Sequence, residues 1–194
     1  AQKFMDAADE QGSKTFFEAL YNAGGSYQRC KNDAEARKRF EEILGKNPKF
    51  HRARVQAALY QFQDSGQKDI EKAIGEMQQA ITDAEFKNEE ALVHLAILQM
   101  TRDIDVSDDE GKNDFERAKT NLQRALAIND GYMPAFNQLA VYYLESAKKK
   151  AEKGGTKRGR NRVAAASEEK VRADTQALEL AQLVCSQALR KNPS

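Results

Sequence analysis

Apolar side chains recur along this chain at helical spacing. In four stretches a small residue is followed by a larger apolar one four positions on, then by an apolar pair at seven and eight. They are Ala36, Phe40, Ile43 and Leu44; Ala73, Met77, Ala80 and Ile81; Ala118, Leu122, Ala125 and Leu126; and Ala181, Cys185, Ala188 and Leu189. That spacing places all four side chains on one face of an α-helix. Stop signals follow three of the stretches at the same distance: Asn47-Pro48, Asn129-Asp130-Gly131 and Asn192-Pro193. Upstream of each stretch a further stripe predicts a partner helix. Recurrence at intervals of a few tens of residues predicts stacked helix pairs, not one closed core.

The partner helices carry their own pattern. From Phe17 to Tyr27 the apolar residues share a stripe that includes small Ala23 and Gly24, and Tyr27 follows Gly24 by three. A small residue in the first helix lets the second approach closely, and Pro48 prevents its continuation. Leu20, Gly24, Tyr27, Ala36, Phe40 and Pro48 together resemble the tetratricopeptide repeat (TPR) family. A fourth unit repeats the set with Phe136, Leu139, Ala140 and Tyr143, and its second helix lies much later, at Ala181 to Leu189. The middle units depart from the pattern: Gln61 stands where an aromatic is usual, and Glu85 replaces the preceding proline. Ala57 and Ala58, and Leu92, Leu95 and Ala96, supply the expected small and apolar places.

The resemblance implies an all-α fold, a right-handed α-solenoid of about four TPR helix-turn-helix repeats over 16–194. The expected repeats are 17–50, 51–86, 88–131 and 133–194, with 1–15 forming an N-terminal helix or cap. The second helices begin 37, 45 and 63 residues apart, against a family unit of roughly 34. The surplus falls between the two helices of a unit. In the last unit Tyr142 to Lys153 continues the first helix and Val163 to Ala181 has helical composition. Gly154, Gly155 and Gly159 mark a break, which predicts a protruding helical hairpin with a basic tip. Because Pro193 and Ser194 fall at a repeat stop, further repeats are expected beyond Ser194.

Composition changes little in this picture. Lys plus Arg is 31 and Asp plus Glu is 30, so no global field favours nucleic acid or an anionic membrane. No apolar run reaches the roughly 18 residues that cross a bilayer. The chain starts at Ala1 without a methionine, so the lack of a visible signal segment places it neither in the cytoplasm nor in a bacterial periplasm or envelope. Cys185 takes the large apolar place of its repeat and is expected as a buried free thiol, unpaired with Cys30.

Candidate chemistry is sparse. His51 and His94 stand far apart with no cysteine near either, so neither a zinc set nor a catalytic triad is favoured. No cofactor, metal or catalytic residue is expected, and the chain reads as a non-enzyme. From Asp103 to Asp114 alternating oxygens imitate a calcium loop. However, Asp108 stands where the glycine should be and Asp114 where the glutamate should be. An exposed loop with helix-capping Ser and Asp is favoured instead.

A basic tip gathers Lys148, Lys149, Lys150, Lys153, Lys157, Arg158, Arg160 and Arg162. A solvated turn is the favoured reading. An acidic partner or a lipid headgroup comes next, and nucleic acid last, since no aromatic interleaves the cations.

The family's geometry implies a concave groove lined by first helices. Here it would show Tyr21, Gln28, Val55, Leu59, Phe62, Val93, Ile97, Met100, Asn137, Val141 and Leu144, a largely apolar set. Chaperone-binding relatives hold a carboxylate with Lys, Asn and Arg at places occupied here by Tyr21, Gly25, Val55 and Leu59, so chaperone-tail binding is disfavoured. The expected function is a non-catalytic interaction scaffold for a peptide or helix of a protein partner. The alternative is a structural subunit of a bacterial envelope or motility-type assembly, touching a membrane surface or acidic partner through the hairpin.

Overall fold

The structure, a computed structural model, describes residues 13–105, 113–155 and 163–191. Among them every regular element is a helix: α1 (Ser13–Arg29), α2 (Asp33–Lys46), α3 (His51–Asp64), α4 (Ile70–Asp83), α5 (Glu89–Arg102), α6 (Asp114–Ile128), α7 (Met133–Gly155) and α8 (Val163–Lys191). The expected cap at 1–15 lies largely outside the described residues. The helices gather into two compact units, divided between Leu98 and Gln99 inside α5.

In the first unit α1 packs on α2, α2 on α3, and α3 on α4. The links from α1 to α2, α3 to α4 and α4 to α5 are closed locally. Asn32 N–H donates to Tyr27 O at 2.9 Å, Gln67 N–H to Phe62 O at 3.0 Å, and Phe86 N–H to Ile81 O at 2.8 Å. These bonds satisfy carbonyls that a helix end would leave unpaired. Left-handed backbone is needed to make them, at Lys31, at Gly66 with Gln67, and at Glu85 with Phe86. The next helix then starts on its own cap: Asn32 accepts from Glu35 N–H, and Asn88 from Ala91 N–H.

The core between α1, α2 and α3 is built from Leu20, Ala36, Phe40, Ile43, Ala53 and Tyr60, with Tyr21, Tyr27 and Phe50 against it. Gly24 explains how close α1 comes to α2. A Cβ there would stand 2.6 Å from Cε1 of Phe40, whose ring is enclosed on all sides. The α5 helix is apolar nearly all round, with Ala91, Leu92, Val93, Leu95, Ala96 and Leu98 buried, as a helix covered on several faces requires.

In the second unit α6 packs on α7 and α7 on α8. Ala118, Leu122, Ala135, Phe136, Leu139 and Tyr142 are buried, and the Phe115 and Tyr142 rings lie 5.5 Å apart. The first helix of this last pair runs to Gly155. The last pair departs from one expectation. Cys185 is exposed, as is Cys30, because α8 buries Ala181, Val184 and Ala188 instead. Where α2 is held between α1 and α3, α8 turns a narrower stripe onto α7 and leaves Leu189 64% exposed.

The acidic turn also differs from its sequence reading. Asn113, not Ser or Asp, caps α6, and Glu116 returns the bond to complete a capping box. Asp114 is 1% exposed. It accepts from Arg102 Nε at 2.8 Å, Arg102 Nη2 at 2.7 Å and Ile104 N–H at 3.0 Å. A residue placed on an exposed loop is a buried ion-pair partner. Residues 106–112 lie outside the described residues.

Candidate functional site

The first helices of the first unit carry a chain of polar side chains where the sequence predicts a largely apolar face. Gln28 of α1 donates through Nε2 to Gln56 Oε1 of α3 at 2.7 Å. Gln56 Nε2 in turn donates to Glu90 Oε1 of α5, and Tyr21 OH donates to Glu90 Oε2 at 3.2 Å. The Arg52 guanidinium lies 4.0 Å from the Tyr21 ring centroid and bonds Glu18 at 2.9 Å. Burial raises the Glu90 carboxyl above its ordinary value, against the opposing hydrogen bonds from Tyr21 and Gln56. Burial and then the Glu90 charge push the Tyr21 hydroxyl up. Both groups therefore favour their neutral forms more than in water.

This network corrects part of the expected lining. Val55 is 0% exposed and Val93 3%, so both belong to the core and neither offers a contact. Tyr21 and Gln28 are half-buried and spend their polar atoms inside the protein. Leu59, Phe62, Ile97 and Met100 are also half-buried. In the second unit Asn137 is exposed, Val141 is 42% exposed and Leu144 37%. These three share one face of α7 at helical spacing, while Ala135, Phe136, Leu139 and Tyr142 turn the other way into the core. Val141 and Leu144 are the apolar members of the predicted lining that are more than a third exposed.

Sequence reasoning missed Gln56, Glu90 and Arg52. No common repeat position flags the pair: Gln56 is the sixth residue of α3 and Glu90 the second of α5.

At the joint before α5, Asn88 uses both ends of its amide. Its Oδ1 accepts from Ala91 N–H at 3.0 Å, which turns Nδ2 towards His51 Nδ1 at 3.1 Å. The ring nitrogen must then accept, so the His51 proton sits on Nε2. Burial, then the Arg52 charge, holds His51 below its ordinary value. Burial lowers His94 as well. Among the described residues no three His, Cys, Asp or Glu side chains gather as metal ligands.

Of the basic tip, Lys148 bonds Glu145 at 2.6 Å. Lys149 pairs with Asp103 and lies 4.0 Å above the Phe115 ring, so it is a packed and neutralised cation rather than an outward one. Lys150 and Lys153 fall on α7; Lys157, Arg158, Arg160 and Arg162 lie outside the described residues. No described helix is long and apolar enough to cross a membrane.

No protein-family model and no curated protein matches the chain. Solved structures do. A thermophilic TPR protein of Thermus thermophilus is similar, with 18% identity, 92% of each chain covered and a TM-score of 0.53. The MamA protein shares 17% identity over 90% of this chain and 91% of its own, at a TM-score of 0.47. A Bacteroides ovatus protein shares 14% identity over 92% and 90%, at 0.49. At 18% identity the likeness to the Thermus thermophilus protein is one of fold, and the chain has a divergent TPR-like fold.

Proposed function

We propose that this protein is a non-catalytic scaffold that docks a peptide or helix of a protein partner on the exposed faces of its first helices. The observation that carries this reading is the strip Asn137, Val141 and Leu144 on α7. It points away from the core and leaves two aliphatic side chains more than a third exposed. A rigid helix pays little ordering cost on its own side, so the partner's apolar anchors supply most of the affinity. Covering each aliphatic side chain contributes roughly 1 kcal/mol, and Asn137 offers a hydrogen bond that fixes register.

The test is affinity capture from native lysate with the wild type and with Val141→Glu/Leu144→Glu. Introducing two charges into a closing apolar contact should weaken capture at least about thirty-fold. Helix content and melting temperature should be unchanged, since both side chains are already exposed. A double variant that captures the same proteins at equal yield would refute the reading.

A further inference from the structure

The second helix pair lacks apolar volume at a place where the first and last pairs have it. At positions i, i+3 and i+7 of the first helix, α1 carries Leu20, Ala23 and Tyr27, and α7 carries Phe136, Leu139 and Tyr143. At the equivalent places α3 carries Arg54, Ala57 and Gln61. In the first pair Tyr27 packs against the core cluster. In the second, a cleft of about 170 Å³ opens, with Leu44, Pro48, Ala57, Ala58 and Glu76 among its lining. A cavity of about 150 Å³ is enough to hold benzene, so this cleft has room for one six-membered ring.

Its polar rim is fixed. Arg54 Nη1 donates to Glu76 Oε2 at 3.1 Å and Nη2 to Pro48 O at 2.6 Å. Its Nε stands 3.4 Å from Asp83 Oδ2, out of line for a hydrogen bond. A planar guanidinium held in the lining favours an aromatic ring over an aliphatic chain. The Gln61 amide and Glu76 carboxylate can accept a phenolic hydroxyl at the mouth. At 100° per residue, Arg54, Ala57, Ala58 and Gln61 lie on the side of α3 opposite Gln56 and Leu59, so this is a surface separate from the first-helix faces.

We propose that the cleft receives an aromatic side chain, a tyrosine, from a partner protein. That ring supplies from outside what Tyr27 and Tyr143 supply from within their own pairs. The probe is p-cresol, the tyrosine side-chain analogue, titrated into the full chain with methyl-labelled alanines, with cyclohexanol as the aliphatic control. Saturable shifts are expected at Ala57 and Ala58, with Ala91 and Ala118 unmoved, and binding tighter than cyclohexanol by about three-fold. Gln61→Tyr places a ring in the cleft from inside, and should raise the melting temperature and abolish the shifts. Ala57→Leu, copying Leu139, should block the site from its lining, and serves if the first variant folds poorly. The proposal is overturned by no saturable shift at Ala57 and Ala58 up to about 20 mM p-cresol. It is equally overturned by equal binding of cyclohexanol, or by shifts that persist in a folded blocking variant.

Discussion

Two carboxyl groups of this molecule have opposite characters, and their neighbours decide which is which. Burial pushes Asp114 up, but the Arg102 hydrogen bonds, the Ile104 amide and the charges of Arg102 and Arg117 outweigh it and hold the group below its ordinary value. Its stabilisation is therefore present above the usual aspartate range and lost as pH falls below it. Asp114→Asn leaves the Arg102 charge poorly paired and should cost about 3 kcal/mol at pH 7, with a flatter loss of stability below about pH 4, read by urea denaturation. Glu90 behaves the other way. Its folded value is raised, so its contribution is full below the ordinary glutamate value and disappears as pH rises through the raised one. Glu90→Gln should stabilise the protein at pH 8 by on the order of 1 kcal/mol. Stability of the wild type relative to this variant should recover on acidification. A variant less stable than wild type at pH 8 would show that the ionised carboxylate is the better partner for Tyr21 and Gln56. Neither residue was legible beforehand. Asp114 sits in an acidic run that reads as solvated, and its partner Arg102 closes a different helix.

At the scale of the element, the repeated stripes were legible and their outer edges were not. Phe40 is buried where the pattern puts it, because α1 and α3 both pack on α2, and Met77 is buried in the same place of α4. Cys185 holds the same place in α8 and is exposed, because a stripe predicts a face but not how much of it a neighbour covers. The turns follow the same division. Asn47 and Pro48 announce the end of α2, whereas the left-handed Glu85 and Phe86 carry no residue-type signal. Two glycines separate packing from propensity. Gly24→Ala gains helix propensity but drives a methyl into the Phe40 ring, which is too enclosed to move, and should cost about 1–3 kcal/mol. Gly75 lies in α4 with open space around its missing Cβ, so Gly75→Ala should gain about 0.5–1 kcal/mol. Urea midpoints that move in the same direction for both would contradict the close α1–α2 approach.

For the whole molecule, the described residues form paired helices with a TPR-like fold. The residues expected from family geometry to line one groove differ in burial. Val55 and Val93 went to the core, Tyr21 and Gln28 to an internal polar chain, and Asn137, Val141 and Leu144 to the surface. Positional geometry is inherited by any chain of this fold, whereas the burial of each position depends on what its own neighbours leave open. Docking as proposed rests on α7 being the face that meets the partner. A photo-crosslinking residue at Val141 tests that directly, against the same residue at exposed Gln123 of α6. A partner adduct is expected from position 141 and none from 123, and an adduct from 123 alone would contradict docking on α7.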